Sequence, residues 1–202
     1  MACNHKFKED LKLDYVSWEA RTLFIGTFNP GWNSIENYAE WFYGRVARND
    51  YWCILPSIHG KNNLLNAGKR EWMEFCKDNH IAITDIISSV QGADESNTDH
   101  QLAISKFRDS DLKDFQLVPT NIPELLKRHP TIRQICVTRN TMPDYLISLF
   151  QPTLDFIKEN PDRKIEFRLL RSPSRGARKG VKGEFSGYVA KKWKEQGRYE
   201  VL

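Results

Sequence analysis

Four short runs of apolar and β-branched residues recur along the chain: "RTLFIGTF", "HIAITDIISSV", "TIRQICVT" and "KIEFRLLRS", at residues 21–28, 80–90, 131–138 and 164–172. Runs this short and this uninterrupted suit strands buried on both faces. The segments between them carry helix signals. "DYWCILPSI" has helical spacing, and "GKREWMEFCKDN" places Trp72, Phe75 and Cys76 on one side. "TNIPELLKRHP" offers a Thr or Asn cap, has Glu124 in its first turn and stops before Pro130. "TMPDYLISLFQPTLDFIKEN" reads as helix interrupted near Pro152, and "EFSGYVAKKWKEQG" as a final helix with Gly197 as its stop. Residues 91–118 have no clear period and read as a long loop with a short helical or edge piece. The alternation predicts an α/β fold, a three-layer sandwich around a central four-stranded, mainly parallel sheet. A length of 202 residues suits a single domain, 1–202, with its core at about 20–197.

In such sheets ligands bind beyond the carboxyl ends of the strands, so the strand ends are the informative positions. The first run stops at Asn29-Pro30-Gly31. The second passes Asp85 into Ser88-Ser89, the third ends in Thr138-Arg139-Asn140, and the fourth opens into "RSPSRGARKG". Each residue also has a plainer reading. Asn29 is a good turn residue before proline, Asp85 could cap a turn, Asn49 could cap a helix starting at Asp50-Tyr51-Trp52, and Ser172 could belong to an ordinary Ser-Pro turn.

Charge and cysteine usage narrow the function classes. The net charge of +4 is modest, but from Arg168 to Lys194 the basic residues face a single acid, Glu184. That imbalance suits a polyanionic partner or, more blandly, a solvated face. The four cysteines, at 3, 53, 76 and 136, form no C-x-x-C pair, so neither a zinc ribbon nor an iron–sulfur framework is indicated. Cys76 and His80 lack a second ligand pair, and the expectation is no metal and no cofactor. The segment "MACNHKFKEDLKLDY" has no apolar stretch of the signal-peptide kind, and no run approaches membrane-spanning length. These features predict a cytoplasmic protein with no membrane partner.

"GTFNPG" after the first strand and "SPSRGA" after the last, in that order, resemble the uracil-DNA glycosylase superfamily. There a Gly-x-x-Pro-Gly-like loop follows the first strand and a His/Asn/Ser-Pro-Ser loop the last. The segment "WFYGRVARNDYWCIL", the Asp of "ITDIISS" and "NIPELLKRHPTIRQICVTRN" are similar to the branch of mismatch-specific uracil and hypoxanthine glycosylases. The resemblance spans about residues 22–193. It departs in the extra residue between Gly26 and Pro30, and in a third strand ending Thr-Arg-Asn.

The resemblance implies a monofunctional DNA glycosylase that hydrolyses the N-glycosidic bond of a deaminated base, uracil or hypoxanthine, in base excision repair. It implies DNA as partner, a monomer and no cofactor. The catalytic amide comes from the first loop in the mismatch-uracil branch, here Asn29, and from the residue before the aromatic-Trp pair in the hypoxanthine branch, here Asn49. This sequence has both. Cleavage builds positive charge on the sugar and negative charge on the base, so an amide suffices to place the water. Ser172 and backbone N–H groups near Ser174 would stabilise the departing base. Gly26, Phe28, Pro30, Phe42, Tyr43 and Asp85 are implied to contact the base, with Trp41, Phe42 or Tyr43 as its stacking face and Tyr43 favoured. Asp85, which accepts hydrogen bonds when ionised, suits a base that presents N–H. Ser174, Arg175, Arg178 and Lys179 are implied to bind DNA. Lyase chemistry needs an amine at the site, and Lys61, in "HGKNN", is the one candidate for it by sequence, which disfavours that chemistry. Two alternatives stand beside this reading: a catalytically silent relative that binds nucleic acid or a nucleotide, and an α/β protein acting on a phosphorylated small molecule.

Overall fold

The apolar runs meet in one sheet. The computed structural model describes residues 2–35, 37–46, 48–105, 109–195 and 199–202. Its elements are, in order, β1 (Cys3–Asn4), β2 (Thr22–Gly26), α1 (Tyr51–Ile58), α2 (Lys69–Asp78), β3 (Ile81–Asp85), β4 (Ile87–Gln91), α3 (Thr98–Ser105), α4 (Asp109–Leu112), β5 (Gln116–Pro119), α5 (Ile122–Arg128), β6 (Gln134–Val137), α6 (Asp144–Glu159), β7 (Glu166–Leu169) and α7 (Phe185–Lys194). Strands β3, β2, β6 and β7 lie side by side in that order, every pair parallel.

Strand β2 is buried along its whole length because its two faces feed two cores. Leu23 and Ile25 pack with Leu125 and Leu126 of α5 and with Leu146 and Phe150 of α6. Phe24 points the other way, into a cluster with α1, α2 and α7. Each of these β2 side chains is fully buried, which stabilises the fold by about 1.5–3 kcal/mol apiece. Helix α2 buries Trp72, Phe75 and Cys76, as its spacing predicts. In α5 the Asn121 side chain accepts the Glu124 N–H at 3.3 Å, the expected cap. The chain ends against the second cluster, where Tyr199 packs on Phe24 and its hydroxyl lies 2.5 Å from His59 Nε2.

Three sequence expectations need correction. "HIAITDIISSV" is not one strand. β3 stops at Asp85, and the Ile86 and Ile87 N–H groups donate to the carbonyls of Gly26 and Thr27, each at 3.0 Å. The chain thereby turns out of the parallel sheet, and β4 joins a separate three-stranded antiparallel sheet in the order β1-β4-β5. Residues 91–118 are more regular than a loop, since they hold α3, α4 and the start of β5. Helix α6 runs unbroken through Pro152. That proline and Ser148, whose carbonyl loses its donor, are both exposed, so water can replace the missing bond. The expected stop at Gly197 lies outside the described residues. Among the described residues, no helix is long and apolar enough to cross a membrane.

Candidate active site

Strand register brings the first two site residues together. Gly26 pairs with Asp85 across β2 and β3. A Cβ at Gly26 would fall 2.2 Å from Asp85 Oδ1 and 2.7 Å from the Tyr43 hydroxyl, so only glycine lets both groups approach the end of β2. All four parallel strands then open into one cavity of about 580 Å³, with Thr27, Asn29, Asp85, Thr138, Arg139 and Ser172 among the residues that line it. The strand ends that carry the sequence motifs thus converge.

Asp85 is the hub of the cavity floor and is 1 % exposed. Its Oδ2 accepts from Asn29 Nδ2 at 2.7 Å and lies 2.7 Å from His5 Nε2. The carboxylate fixes the Asn29 amide, because only the nitrogen end can donate to it. The amide oxygen is left for another donor. Phe28 lines the cavity, while Pro30 is buried behind it and bridges to His5. Pro30 therefore shapes the turn without facing the cavity.

The aromatic segment sorts cleanly. Trp41 and Phe42 are fully buried. Trp41 stacks on Trp52, which stacks on Trp72, and Phe42 packs against His5 and Phe7. Phe42 is thus core and not a cavity wall, which corrects the expectation that it contacts the base. Tyr43 alone of the three faces the cavity. It stacks on Tyr51 with ring centroids 4.0 Å apart and planes 14° apart, and its hydroxyl shares a hydrogen bond with Thr138 Oγ1 at 3.0 Å. Burial, with the Asp85 charge adding to it, pushes this hydroxyl well above its usual range, so it stays protonated. Tyr43 holds a left-handed φ of +57°, and Arg45 and Arg48 are also left-handed; such strain persists only where surrounding contacts impose it. Gly44 is needed for the core, since a Cβ there would sit 2.2 Å from the Trp72 ring.

Asn49 lines the cavity too. Its Oδ1 accepts the Tyr51 N–H at 3.0 Å, so its oxygen is spent at the start of α1 and its amide nitrogen is the remaining donor. The two amides are therefore opposite in polarity. Asn29 has committed its nitrogen and Asn49 its oxygen.

The Ser-Pro-Ser loop is fastened to the same segment. Asp50 N–H donates to Pro173 O at 3.0 Å, and Arg175 N–H donates to Arg48 O at 2.7 Å. Ser172 Oγ accepts the Ser174 N–H at 3.3 Å, and Ser174 Oγ accepts the Gly176 N–H at 3.3 Å. Arg171 pins the loop from behind, donating to Ala177 O and lying over the Tyr188 ring. Arg175 is not a projecting cation. Its Nε and Nη2 both lie 2.9 Å from Oδ1 of buried Asp50. Arg178 and Lys179 are likewise exposed, with Arg178 donating to Gly183 O.

Sequence reasoning missed three contributors. His5 sits alone in a charged leader with no motif around it. Tyr38, 70 % exposed at the cavity rim, and Arg48, exposed on its wall, lie in irregular chain where no period marks a role. Lys61 is not among the cavity residues. Among the described residues, no group of three or more His, Cys, Asp or Glu side chains could hold a metal ion.

The fold and cavity define an α/β protein with a four-stranded parallel sheet and a cleft of mixed polar and apolar lining beyond its strand ends, the fold that the sequence motifs implied. No protein-family model matches the chain, and no curated protein matches its sequence. Among solved structures, one similar to it is the solution NMR structure of "a putative Uracil DNA glycosylase from Methanosarcina acetivorans". The two share 17 % identity over 87 % of each chain, with a TM-score of 0.53. At that identity the likeness establishes a common fold.

Proposed function

We propose that this chain is a monofunctional DNA glycosylase, acting as a single domain and a monomer, that hydrolyses the bond between a deaminated base, uracil or hypoxanthine, and its sugar. The observation that carries the reading is the Asn29 amide at the end of β2. Its nitrogen is held by Asp85, which leaves its oxygen as an acceptor beside the cavity. In this reading a base turned out of the stack lies against Tyr43. Asn29 Oδ1 accepts from a water and holds it near the sugar carbon as oxocarbenium character develops. Negative charge moving onto the base meets donors on the opposite wall: the Ser172 hydroxyl and the Asn49 Nδ2. The scheme uses fixed dipoles and water, with no redox step and no cofactor.

Asp85 acquires a different part from the one its sequence position suggested. With Oδ2 shared by two donors and Oδ1 crowded against Gly26, it serves Asn29 and not the edge of the base. Arg178 and Lys179 supply phosphate contacts beside the cleft. The test is base release from oligonucleotides carrying uracil, hypoxanthine, xanthine or a mismatched thymine, read as abasic sites. Release of uracil or hypoxanthine is the expected result. Binding without release of any base would overturn the enzymatic reading in favour of a silent nucleic-acid-binding relative.

A further inference from the structure

We propose that His5 is a positioning residue for this site, setting the polarity of the Asn29 amide through Asp85; the inference rests on the glycosylase reading above. The ring's tautomer follows from its contacts. Nδ1 accepts the Phe7 N–H at 2.9 Å, so the proton is carried on Nε2, and Nε2–H donates to Asp85 Oδ2 at 2.7 Å. The hydrogen bonds converge on the carboxylate: Phe7 N–H donates to His5, His5 N–H donates to Asp85, and Asn29 Nδ2–H donates to the same Asp85 oxygen from the other side. With an acceptor at Asp85, the Asn29 nitrogen turns inward and its oxygen outward. A donor in that place would turn the amide over and leave no acceptor for a water.

Three features show that the chain is built around this contact. The His5 side chain is fully buried, ringed by Phe7, Phe28 and Phe42 at centroid distances of 5.8, 5.7 and 5.8 Å. In that apolar cage a buried carboxylate needs supplied donors. Strand β1 and the two residues after it are also stitched to both sides of the site. His5 N–H donates to Ser88 O at 2.9 Å, Lys6 N–H to Asn29 O at 2.8 Å, and Gly31 N–H to Asn4 O at 2.9 Å. Finally, a Cβ at Gly31 would lie 2.8 Å from Asn4 O. The glycine of Asn-Pro-Gly is therefore what lets the N-terminal strand approach the turn that carries Asn29.

The test is a double-mutant cycle in single-turnover base release. His5→Phe keeps the ring volume and removes the donor. It should slow release by about 10- to 100-fold, the scale of a small misplacement of a catalytic group, with little change in oligonucleotide affinity. His5→Gln, which restores an N–H donor, should recover part of the rate. In an Asn29→Ala background His5→Phe should cost nothing further, because its effect passes through the missing amide. An equal loss in both backgrounds, or an unchanged rate in the single mutant, would overturn the proposal. If wild-type protein releases no base, the function fails, but the relay can still be judged by NMR. The His5 ring should be protonated at Nε2 alone, and His5→Gln should shift the Asn29 side-chain amide resonances. A ring protonated at Nδ1, or an unmoved Asn29 amide, would overturn the relay itself, and neither reading needs His5→Phe to fold.

Discussion

At the scale of single residues, the site turns on two asparagines of opposite polarity. Asn29→Ala removes the outward amide oxygen and should lower single-turnover release by about two orders of magnitude or more, with binding little changed, since the group acts mainly in the transition state. Asn49→Asp keeps the oxygen that accepts the Tyr51 N–H but replaces the donor with a negative charge facing the departing base. It should slow release without the melting-temperature loss expected of Asn49→Ala, which also removes the cap. Comparable rates for wild type and Asn29→Ala would show that the water is held elsewhere. Asn29 stood out because it follows an uninterrupted buried run, and Asp85 because it places a lone carboxylate inside one. Tyr43 was favoured as the stacking face, but Phe42 stayed among the expected contacts beside it, because adjacent aromatics in a tight turn have no period that says which one faces the core. His5 was invisible for a related reason. Its partner is 80 residues away in sequence, and nothing local marks a lone histidine as buried.

At the scale of elements, the last loop holds its shape by pairing, and on the proposed function it would meet DNA with other side chains. Arg175→Ala would leave Asp50, 5 % exposed, without its cation. It should destabilise the protein by about 1–3 kcal/mol, less than for a wholly buried pair because Arg175 is itself half in water. Chemical denaturation measures that loss, and Asp50→Asn with Arg175→Ala should regain part of it. The double variant Arg178→Ala with Lys179→Ala should instead keep its stability, bind DNA more weakly and lower the slope of log K against log salt by about one unit for each phosphate it no longer neutralises. An unchanged slope would remove these residues from the DNA-binding surface. The sequence showed this loop's charge but not its division of labour, because a guanidinium paired to a buried carboxylate reads like any other arginine. The split of "HIAITDIISSV" was hidden similarly. No glycine or proline marks the corner at Ile86, where the bend is made by backbone bonds to Gly26 and Thr27.

For the molecule as a whole, pH should act on stability through two half-buried histidines. Burial lowers the His59 and His129 pKa values below 6.5 in the folded chain. The unfolded chain therefore takes up these protons more readily. Their contribution is complete above about pH 6.5 and is lost as the pH falls through that value towards the folded ones. The melting temperature should drop between pH 7.5 and 5, and His59→Gln should flatten part of the decline, with His129 responsible for the rest. An identical decline in both proteins would remove His59 as a cause. The overall architecture was readable because three of the four parallel strands, β2, β3 and β6, are buried along their whole length, a local property. The second sheet was not, because β1 and β5 are short and pair with β4 across long stretches of chain.

The same long reach sets a timetable for synthesis. The N-terminal segment can meet the Asn29–Gly31 turn early, but its partners Asp85 and Ser88 are made only roughly 4–16 s later at 5–20 residues per second. During that interval the nascent chain carries His5, the Pro30-Gly31 turn and Asn29 with no Asp85 to align them. On the proposed function, a ribosome-bound fragment that stops short of β3 lacks the carboxylate that would align the amide, so a half-translated copy should be inactive towards nucleic acid.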